Sequence, residues 1–364
     1  MKSTVVGLAL GDSEVGSDGC VVPVKSSSSN KNLHKAKSSK KDEFYTQLSD
    51  IEKELRHYKE HFRDKVVLCN CDDPRVSNFF HFFSYNFEIL GLKKLITTCY
   101  RNHNMDSFSD NECEQAIYLE YEGDKNGNRI PDADEIGVKP LKGDGDFRSD
   151  ECIELLKQAD IVVTNPPFSL FRDYLALLVK YDKKFLIIGN LNAVTYKDVF
   201  TLFSNNKIWF GHSIHSGDRE FQVPQSYPLN AAGSRVDENG NKFIRVKGVR
   251  WFTNLDYNER HEDLILYRTY YGNEADYPNY DNYNAINVNK TKDIPCDYKG
   301  VMGVPITFLD KYSPEQFEVL GSDYFVKDGY LDEIIKKGWE GKLDRGYVNG
   351  KRLYSRILIK NKRL

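Results

Sequence analysis

One stretch constrains the fold of this chain more than any other. It is the apolar run from Asp160 to Thr164, which ends abruptly in Asn-Pro-Pro-Phe at residues 165–168. Valine and isoleucine suit a strand that is buried on both faces, so the run predicts a central parallel strand. Two prolines then end the strand, because each lacks an N–H and has a fixed φ. Since a residue before proline is held extended, the sequence predicts a rigid tip.

The tip carries two neighbouring hydrogen-bond acceptors and an aromatic ring. The side-chain oxygen of Asn165 and the Pro166 carbonyl can accept both hydrogens of an amino group, while Phe168 can stack on the ring that bears it. The N6 amino group of adenine fits this description. Ligands of open α/β sheets bind outside the carboxyl ends of the strands. The alternative is a proline-ended strand with a packed Phe. We predict a site here, and its four catalytic candidates are Asn165, Pro166, Pro167 and Phe168.

Helical and strand patterns alternate on both sides of this strand, which predicts a doubly wound, mostly parallel α/β sheet. We expect helices near residues 48–62, 76–83, 150–159, 169–182 and 195–204. A hairpin from 116–119 to 129–130 is indicated by Asn126-Gly127. We expect the parallel sheet to contain strands at 65–70, 92–100, 160–164, 184–189, 207–211 and 249–255.

The chain divides into four regions by composition. Residues 1–40 are rich in Ser and Lys and predict a disordered basic arm. Residues 41–211 together with 249–256 carry the alternating pattern and form the predicted catalytic domain. A polar insertion at 212–248 and a Tyr- and Asn-rich region at 257–364 are candidates for recognition.

Composition excludes several classes of protein. No apolar run reaches membrane-spanning length and no signal peptide is evident, so we expect a cytoplasmic protein. The seven cysteines of the 364-residue chain are scattered, which favours reduced thiols. One polar loop resembles a calcium site, but its glycine stands at the wrong position. We predict an ordinary turn there and no metal; the loop residues are Asp124, Asn126, Asn128, Asp132 and Glu135.

Three further segments stand where a cofactor would be bound. An aromatic pair and a hydroxyl, Phe44-Tyr45-Thr46, precede the first helix and could close over a cofactor. An acidic turn, Cys71-Asp72-Asp73, follows the first strand at the position where a nucleotide-binding unit meets its ligand. Asp146 and Phe147 follow the place where a third strand would end. Each segment has a structural alternative as a helix cap or a hydrophobic staple.

These segments occur in an order that resembles S-adenosylmethionine-dependent DNA N6-adenine methyltransferases. The likeness is closest to the EcoRI-type modification methylase family, and it is carried by residues 33–37, 42–47, 69–80, 165–168 and 286–295. The resemblance implies a Rossmann-like methyltransferase and transfer at the Asn-Pro-Pro-Phe tip. The family's expectation for the target is the inner adenine of GAATTC. The resemblance also implies the methyl donor S-adenosylmethionine, bound by Phe44, Tyr45, Thr46, Cys71, Asp72, Asp73, Asp146, Phe147 and Asn165.

The implied partner is double-stranded DNA, although the net charge of −3 does not by itself indicate nucleic-acid binding. We expect a nucleoid-associated enzyme that acts as a monomer on DNA without a stable protein partner. Basic clusters can neutralise phosphates, and Asn can pair with a base edge. The candidate DNA-binding residues are Lys35, Lys37, Lys40, Arg219, Arg235, Asn287, Asn289, Lys290 and Lys292.

The hypothesis from sequence is direct methyl transfer to N6 of an adenine that has been flipped out of the duplex. Catalysis would come from orientation, so no nucleophilic triad is expected. Two alternatives remain. One is a methyltransferase that acts on an RNA base or a protein glutamine, because Asn-Pro-Pro followed by an aromatic residue occurs there too. The other is a DNA-binding module that has lost catalysis.

Overall fold

The strand that ends in Asn165 lies inside the sheet that organises the molecule. The computed structural model describes residues 44–70, 77–99, 116–128, 131–132, 135–215, 217–223, 225, 227–229 and 233–364. Strands are numbered in chain order: β1 (Val66–Asn70), β2 (Lys94–Cys99), β3 (Ile117–Tyr121), β4 (Gly137–Pro140), β5 (Ile161–Thr164), β6 (Lys184–Asn190), β7 (Trp209–Phe210), β8 (Asp218–Val223), β9 (Arg235–Val236), β10 (Lys242–Lys247), β11 (Val249–Thr253), β12 (Ala285–Asn287), β13 (Val301–Val304), β14 (Phe317–Ser322), β15 (Tyr347–Val348), β16 (Lys351–Arg352) and β17 (Ile357–Asn361).

The α-helices are short and connect the strands of the first half of the chain. They are α1 (Leu48–Leu55), α2 (Asn78–Tyr85), α3 (Phe87–Leu90), α4 (Asp150–Gln158), α5 (Phe171–Lys180) and α6 (Lys197–Ser204). Short 3₁₀ helices are more frequent in the second half and cover Lys59–His61, Leu191–Thr195, Asn258–His261, Glu274–Asp276, Thr291–Asp293, Ile306–Lys311, Asp323–Asp328 and Asp332–Ile334. Among the described residues, no helix is both long and apolar enough to cross a bilayer.

Within the described residues, the largest sheet has eight strands in the order β4-β3-β2-β1-β5-β6-β11-β7. The four central strands β2, β1, β5 and β6 are parallel. The remaining pairings, β2–β3, β3–β4, β6–β11 and β11–β7, are antiparallel. The sheet is therefore mixed, and the prediction of a mostly parallel sheet is correct only for its centre. β11 follows the insertion at 212–248 in the chain. In the sheet it lies between β6 and β7 and is antiparallel to both.

The order in which the chain adds strands to the sheet reverses at β1. The chain places β2 on one side of β1 and later returns to place β5 on the other side. At such a switch point the loops that leave adjacent strands diverge, and the crevice between them is the usual ligand site of an open α/β sheet. In this sheet the crevice lies between the ends of β1 at Asn70 and β5 at Thr164.

Helices cover both faces of the sheet, as strand burial demands. Val67 of β1 packs in one apolar cluster with residues of α1 and α2, such as Leu55 and Phe79. Leu68 points to the other face and packs in a second cluster with residues of α4 and α5, such as Leu155. The predicted helices are therefore present, although α1 ends at Leu55.

The second strand of the predicted hairpin, residues 129–130, lies outside the described residues. β3 pairs with β4 at residues 137–140 and with β2 on its other side. The Asn126-Gly127 turn is held by side-chain contacts: the Glu135 carboxylate accepts from the backbone N–H of Lys125 at 2.7 Å, and Asp124 accepts from Gly127 at 2.6 Å.

The C-terminal region shares a core with the main sheet. A four-stranded sheet of order β12-β13-β17-β14 contributes Met302, Phe317 and Ile359 to the same apolar cluster as Phe200 of α6. A buried ion pair adds a polar link: the Arg250 guanidinium of β11 donates to both oxygens of Asp310, at 2.6 and 2.9 Å. Both side chains are 3% exposed.

The insertion forms a three-stranded antiparallel sheet of order β8-β10-β9. Its edge strand β8 pairs with the segment before α1 through two reciprocal backbone hydrogen bonds between Tyr45 and Gln222, with N···O distances of 3.0 and 3.3 Å. The insertion is thus attached by main-chain atoms to the residues that precede α1.

Candidate active site

The Asn-Pro-Pro-Phe tip follows β5 at the switch point of the sheet. Asn165 and Pro166 are buried, while Pro167 and Phe168 are half-buried. Only 6% of Asn165 is exposed, so every polar atom of its side chain needs a partner, either in the protein or in a ligand.

The side-chain amide of Asn165 has one orientation. Nδ2 lies 2.7 Å from the carbonyl oxygen of Phe44 and 3.2 Å from the hydroxyl oxygen of Thr46. A carbonyl can only accept a hydrogen bond, so the atom that faces it must be the NH2 group. Both amide hydrogens are used in this way. Among the described residues none donates to Oδ1 or to the Pro166 carbonyl, and these two acceptors are therefore available to an amino group.

Phe168 belongs to an aromatic cluster above the tip. Its ring packs edge-on against Phe44, with centroids 5.7 Å apart, and against Phe221 of β8 at 6.5 Å. Phe44 also contacts Phe221 at 5.7 Å and Tyr227 at 6.4 Å. The cluster joins three parts of the chain and supplies an apolar wall for a planar ring.

The segment 44–46 crosses the end of β5. Phe44 contributes its carbonyl and its ring, Tyr45 pairs with Gln222, and Thr46 faces Asn165. Thr46 is 3% exposed, and its carbonyl accepts from the side chain of Asn78, the first residue of α2, at 2.7 Å. The sequence placed these residues at a cofactor site; the structure brings them into contact with the tip.

The turn at 145–147 reaches the same edge of the sheet. The Asp146 carboxylate accepts two hydrogen bonds from Arg148, at 2.9 and 2.6 Å, and this contact raises the pKa of Arg148 above its ordinary value. Phe147 is 7% exposed and packs edge-on against Tyr174 at 5.0 Å. Phe147 is thus mainly a core residue, whereas Asp146 is half-buried.

Asn70 was not singled out from the sequence, yet it connects these parts. It ends β1 and is buried. Its side-chain oxygen accepts from the Tyr174 hydroxyl, and its carbonyl accepts from the Thr164 hydroxyl. The ends of β1 and β5 are therefore held together. An Asn that closes an apolar strand directly before an acidic turn was the available signal.

The predicted turn Cys71-Asp72-Asp73 and the lysines Lys35, Lys37 and Lys40 lie outside the described residues. Of the DNA-binding candidates in the insertion, Arg235 binds both oxygens of Glu220 and lies over Phe243, 4.3 Å from the ring centroid. The hydrogen bond from Arg235 holds the pKa of Glu220 below its ordinary value. Arg219 lies on β8 and is half-buried.

The C-terminal candidates differ in exposure. Asn287 is buried, and its side chain accepts from Tyr280 at 3.1 Å and donates to Asn289 at 2.9 Å. Its polar atoms are therefore used inside the region. Asn289, Lys290 and Lys292 are exposed.

One group of potential metal ligands lies apart from the tip. His57, His212 and Glu259 offer donor atoms that all lie within 4.8 Å of one another. His57 Nδ1 is already 2.9 Å from Glu259 Oε1, and the two imidazole centroids are 4.0 Å apart. Two imidazoles on one tetrahedral ion hold their centroids roughly 5 Å apart. The group is therefore better described as a hydrogen-bonded pair with a packed ring.

Comparison with known proteins finds relatives that match most of the chain. The chain is 57% identical over 336 residues to the Type II methyltransferase M.EcoRI of Escherichia coli, which covers 92% of this chain and 98% of that protein. It is 42% identical to M.MgeORF184P of Mycoplasma genitalium, covering 91% and 99% of the two chains. M.MpnI of Mycoplasma pneumoniae is 41% identical, with 91% and 98% covered.

No solved structure shows significant similarity to the chain. The family model described as adenine-specific methyltransferase EcoRI matches residues 32–362. That range includes the tip, the segment across it, the insertion and the C-terminal sheet. The chain therefore belongs to the adenine-specific methyltransferase EcoRI family.

Proposed function

We propose that this protein is a site-specific DNA methyltransferase of the restriction-modification type, which transfers a methyl group from S-adenosylmethionine to N6 of adenine. The observation that carries the proposal is the tip: two buried acceptors beside an aromatic cluster at the switch point of a sheet. The family and its Type II methyltransferase relatives support the same reaction. A Rossmann-like methyltransferase fold is part of the proposal.

The tip would act by orienting the substrate. Asn165 Oδ1 and the Pro166 carbonyl accept the two hydrogens of N6, which directs the nitrogen lone pair away from the tip and towards the donor. The new N–C bond forms as the S–C bond breaks, and the electron pair of that bond stays on sulfur. N6 then loses one proton to solvent. No titratable side chain occurs in residues 164–168, so orientation is the main contribution of the tip.

The donor supplies an electrophilic methyl group on a sulfonium. We propose that segment 44–46, the turn at 71–73 and Asp146 with Phe147 surround it, because these segments meet the switch point or follow its strands. Asp146 suits an amino group of the donor as an acceptor. Phe168, in contact with Phe44 and Phe221, would stack on the extruded adenine.

DNA is the proposed partner, with the insertion and the C-terminal region as its recognition surfaces. Exposed Asn289, Lys290 and Lys292 are the better-placed candidates of the C-terminal set. Binding that depends on phosphate contacts should weaken steeply with salt. A monomer acting on DNA in the cytoplasm, in association with the nucleoid, completes the proposal.

The test is a transfer assay with isotopically labelled S-adenosylmethionine and the full-length protein. Substrates are a duplex containing GAATTC, the same duplex with the site scrambled, single-stranded RNA and a glutamine-containing peptide. We expect N6-methyladenine, identified by mass spectrometry, in the GAATTC duplex. An Asn165→Ala variant should lose roughly 10²–10³-fold in single-turnover rate. Asn205→Ala, at the exposed end of α6, is the matched control.

The outcomes separate the alternatives. Transfer to RNA or peptide in preference to DNA would replace the substrate class. Binding of DNA without binding of the donor in calorimetry would identify an inactive DNA-binding module. Full activity of Asn165→Ala would contradict the role of the tip.

A further inference from the structure

The environment of Thr46 points to a role for its hydroxyl that differs from contact with the donor. Its hydroxyl oxygen lies 3.2 Å from Asn165 Nδ2, and the residue is 3% exposed. Because this oxygen already accepts from the amide and the residue is buried, the hydroxyl has little capacity left beyond its own O–H. The side chain of Thr46 therefore faces the catalytic amide.

Two contacts hold the amide of Asn165. The Phe44 carbonyl can only accept, so it decides which end is the NH2 group, and the Thr46 hydroxyl is the second contact, which fixes the plane of the amide. Nδ2 and Oδ1 are nearly equal in size, so an amide flip costs only what hydrogen bonds enforce. The Phe44 carbonyl, at 2.7 Å, takes one hydrogen of Nδ2, and the Thr46 hydroxyl takes the other. With both hydrogens bound, Oδ1 has one direction, and it is the atom that must accept from N6.

Thr46 is itself held in place from two sides. Asn78, at the start of α2, donates to its carbonyl at 2.7 Å. The preceding residue, Tyr45, is paired by its backbone with Gln222 of the insertion sheet. Thr46 thus belongs to a fixed segment rather than a mobile loop, and a fixed acceptor can hold the amide without loss of its own conformational freedom.

We propose that Thr46 is a positioning residue, whose hydroxyl locks the side-chain amide of Asn165 with Oδ1 directed at the amino group of the target adenine. This inference rests on the proposed function. It assigns the hydroxyl to the methyl-transfer step, and it assigns nothing in donor affinity to that hydroxyl.

The kinetic test compares Thr46→Val, which removes the hydroxyl at constant shape, with Thr46→Ser, which keeps it. Thr46→Val should lower the single-turnover rate about tenfold, the effect of one hydrogen bond. Its Kd values for donor and DNA should stay within about twofold of wild type. Thr46→Ser should restore most of the rate. Thr97→Val on β2 is the control, since it removes a buried hydroxyl for which the described part of the chain offers no partner.

A second measurement does not depend on activity. In protein labelled with ¹⁵N at asparagine, the side-chain resonance of Asn165 is identified by its loss in Asn165→Ala. Both of its protons should exchange slowly with solvent in the wild type and in Thr46→Ser. In Thr46→Val the proton that faced the hydroxyl should exchange faster, whereas the proton that faces Phe44 should stay protected.

Three results would overturn the inference. One is a weaker donor Kd with an unchanged rate at saturation, which would make Thr46 a donor contact. Another is a rate in Thr46→Ser as low as in Thr46→Val. The third is unchanged exchange in Thr46→Val. A wild-type protein that shows the protected amide but transfers no methyl group to DNA would refute the proposed function and leave the locking contact standing.

Discussion

At the scale of single residues, the orientation of one amide decides what the tip can accept. Asn165 presents an NH2 group to the Phe44 carbonyl, which leaves Oδ1 on the other side of the amide. An aspartate would be a stronger acceptor for an amino group when considered alone. In this site, however, it would place a second oxygen against the Phe44 carbonyl.

We therefore expect Asn165→Asp to be as poor as the alanine variant, with a single-turnover rate reduced by roughly 10²–10³-fold. The cause is oxygen–oxygen repulsion at a contact that is now 2.7 Å. Rapid-quench measurement of labelled methyl transfer gives the rate, and Asn205→Asp at an exposed position is the control. A wild-type rate in Asn165→Asp would show that the amide nitrogen does not face Phe44.

The residues of the tip could be predicted from sequence, because proline and asparagine have strong local effects. Their partners could not. Phe44 and Thr46 lie 121 and 119 positions away from Asn165 along the chain, and no local pattern encodes a contact over that distance. The packing of Phe147 against a core neighbour, Tyr174, could not be predicted for the same reason.

At the scale of elements, the 3₁₀ helix Asn258–His261 is held by charge. His261 lies 2.8 Å from Asp256 and 2.9 Å from Glu315, which precedes β14. The hydrogen bond to Glu315 and the proximity of Asp256 raise the pKa of His261 above its ordinary value. Arg260 also faces Asp256, at 3.4 Å. The charged imidazole therefore ties the exit of the main sheet to the C-terminal sheet.

The sign of the pH effect follows from the raised pKa. The stabilisation by His261 is complete below the unfolded value of about 6.5 and is lost as pH rises through the higher folded value. At pH 6 we expect His261→Gln to unfold at a lower midpoint urea concentration than wild type. At pH 9 the two midpoint concentrations should be the same. Denaturation followed by circular dichroism checks this, with His81→Gln as control. An equal difference at both pH values would exclude the charge as its cause.

Elements were predicted more reliably than their directions. The apolar runs correctly predicted the strands β1, β2, β5 and β6. Their parallel pairing was also predicted, because helices intervene between them. β11 has the same composition, yet it pairs antiparallel with β6 after a 37-residue insertion at 212–248. Burial gives both strand directions the same pattern, so only the length and path of the connection could have distinguished them.

At the scale of the whole molecule, three regions are joined around Arg250. Its guanidinium binds Asp310 of the C-terminal region, and it also donates to the carbonyl of His215, at the start of the insertion, at 2.6 Å. Removing one partner of a buried ion pair leaves the other charge without compensation in a low-dielectric environment.

Arg250→Met should therefore lower the free energy of unfolding by about 3–5 kcal/mol. Arg172→Met, which breaks an exposed pair with Asp198, should cost about 1 kcal/mol or less. Adding Asp310→Leu to Arg250→Met should recover most of the loss, because no unpaired charge then remains. Urea unfolding measures all three. A double variant as unstable as the single one would indicate that shape, rather than charge, governs the site.

The attachment of the insertion to the segment before α1 uses main-chain atoms of Tyr45 and Gln222. Such hydrogen bonds are indifferent to side-chain identity. The outward side chains of β8, β9 and β10 can therefore be exchanged while the cover over Asn165 stays in place. Substitutions in the insertion can therefore change its exposed surface without rebuilding the contacts around Asn165.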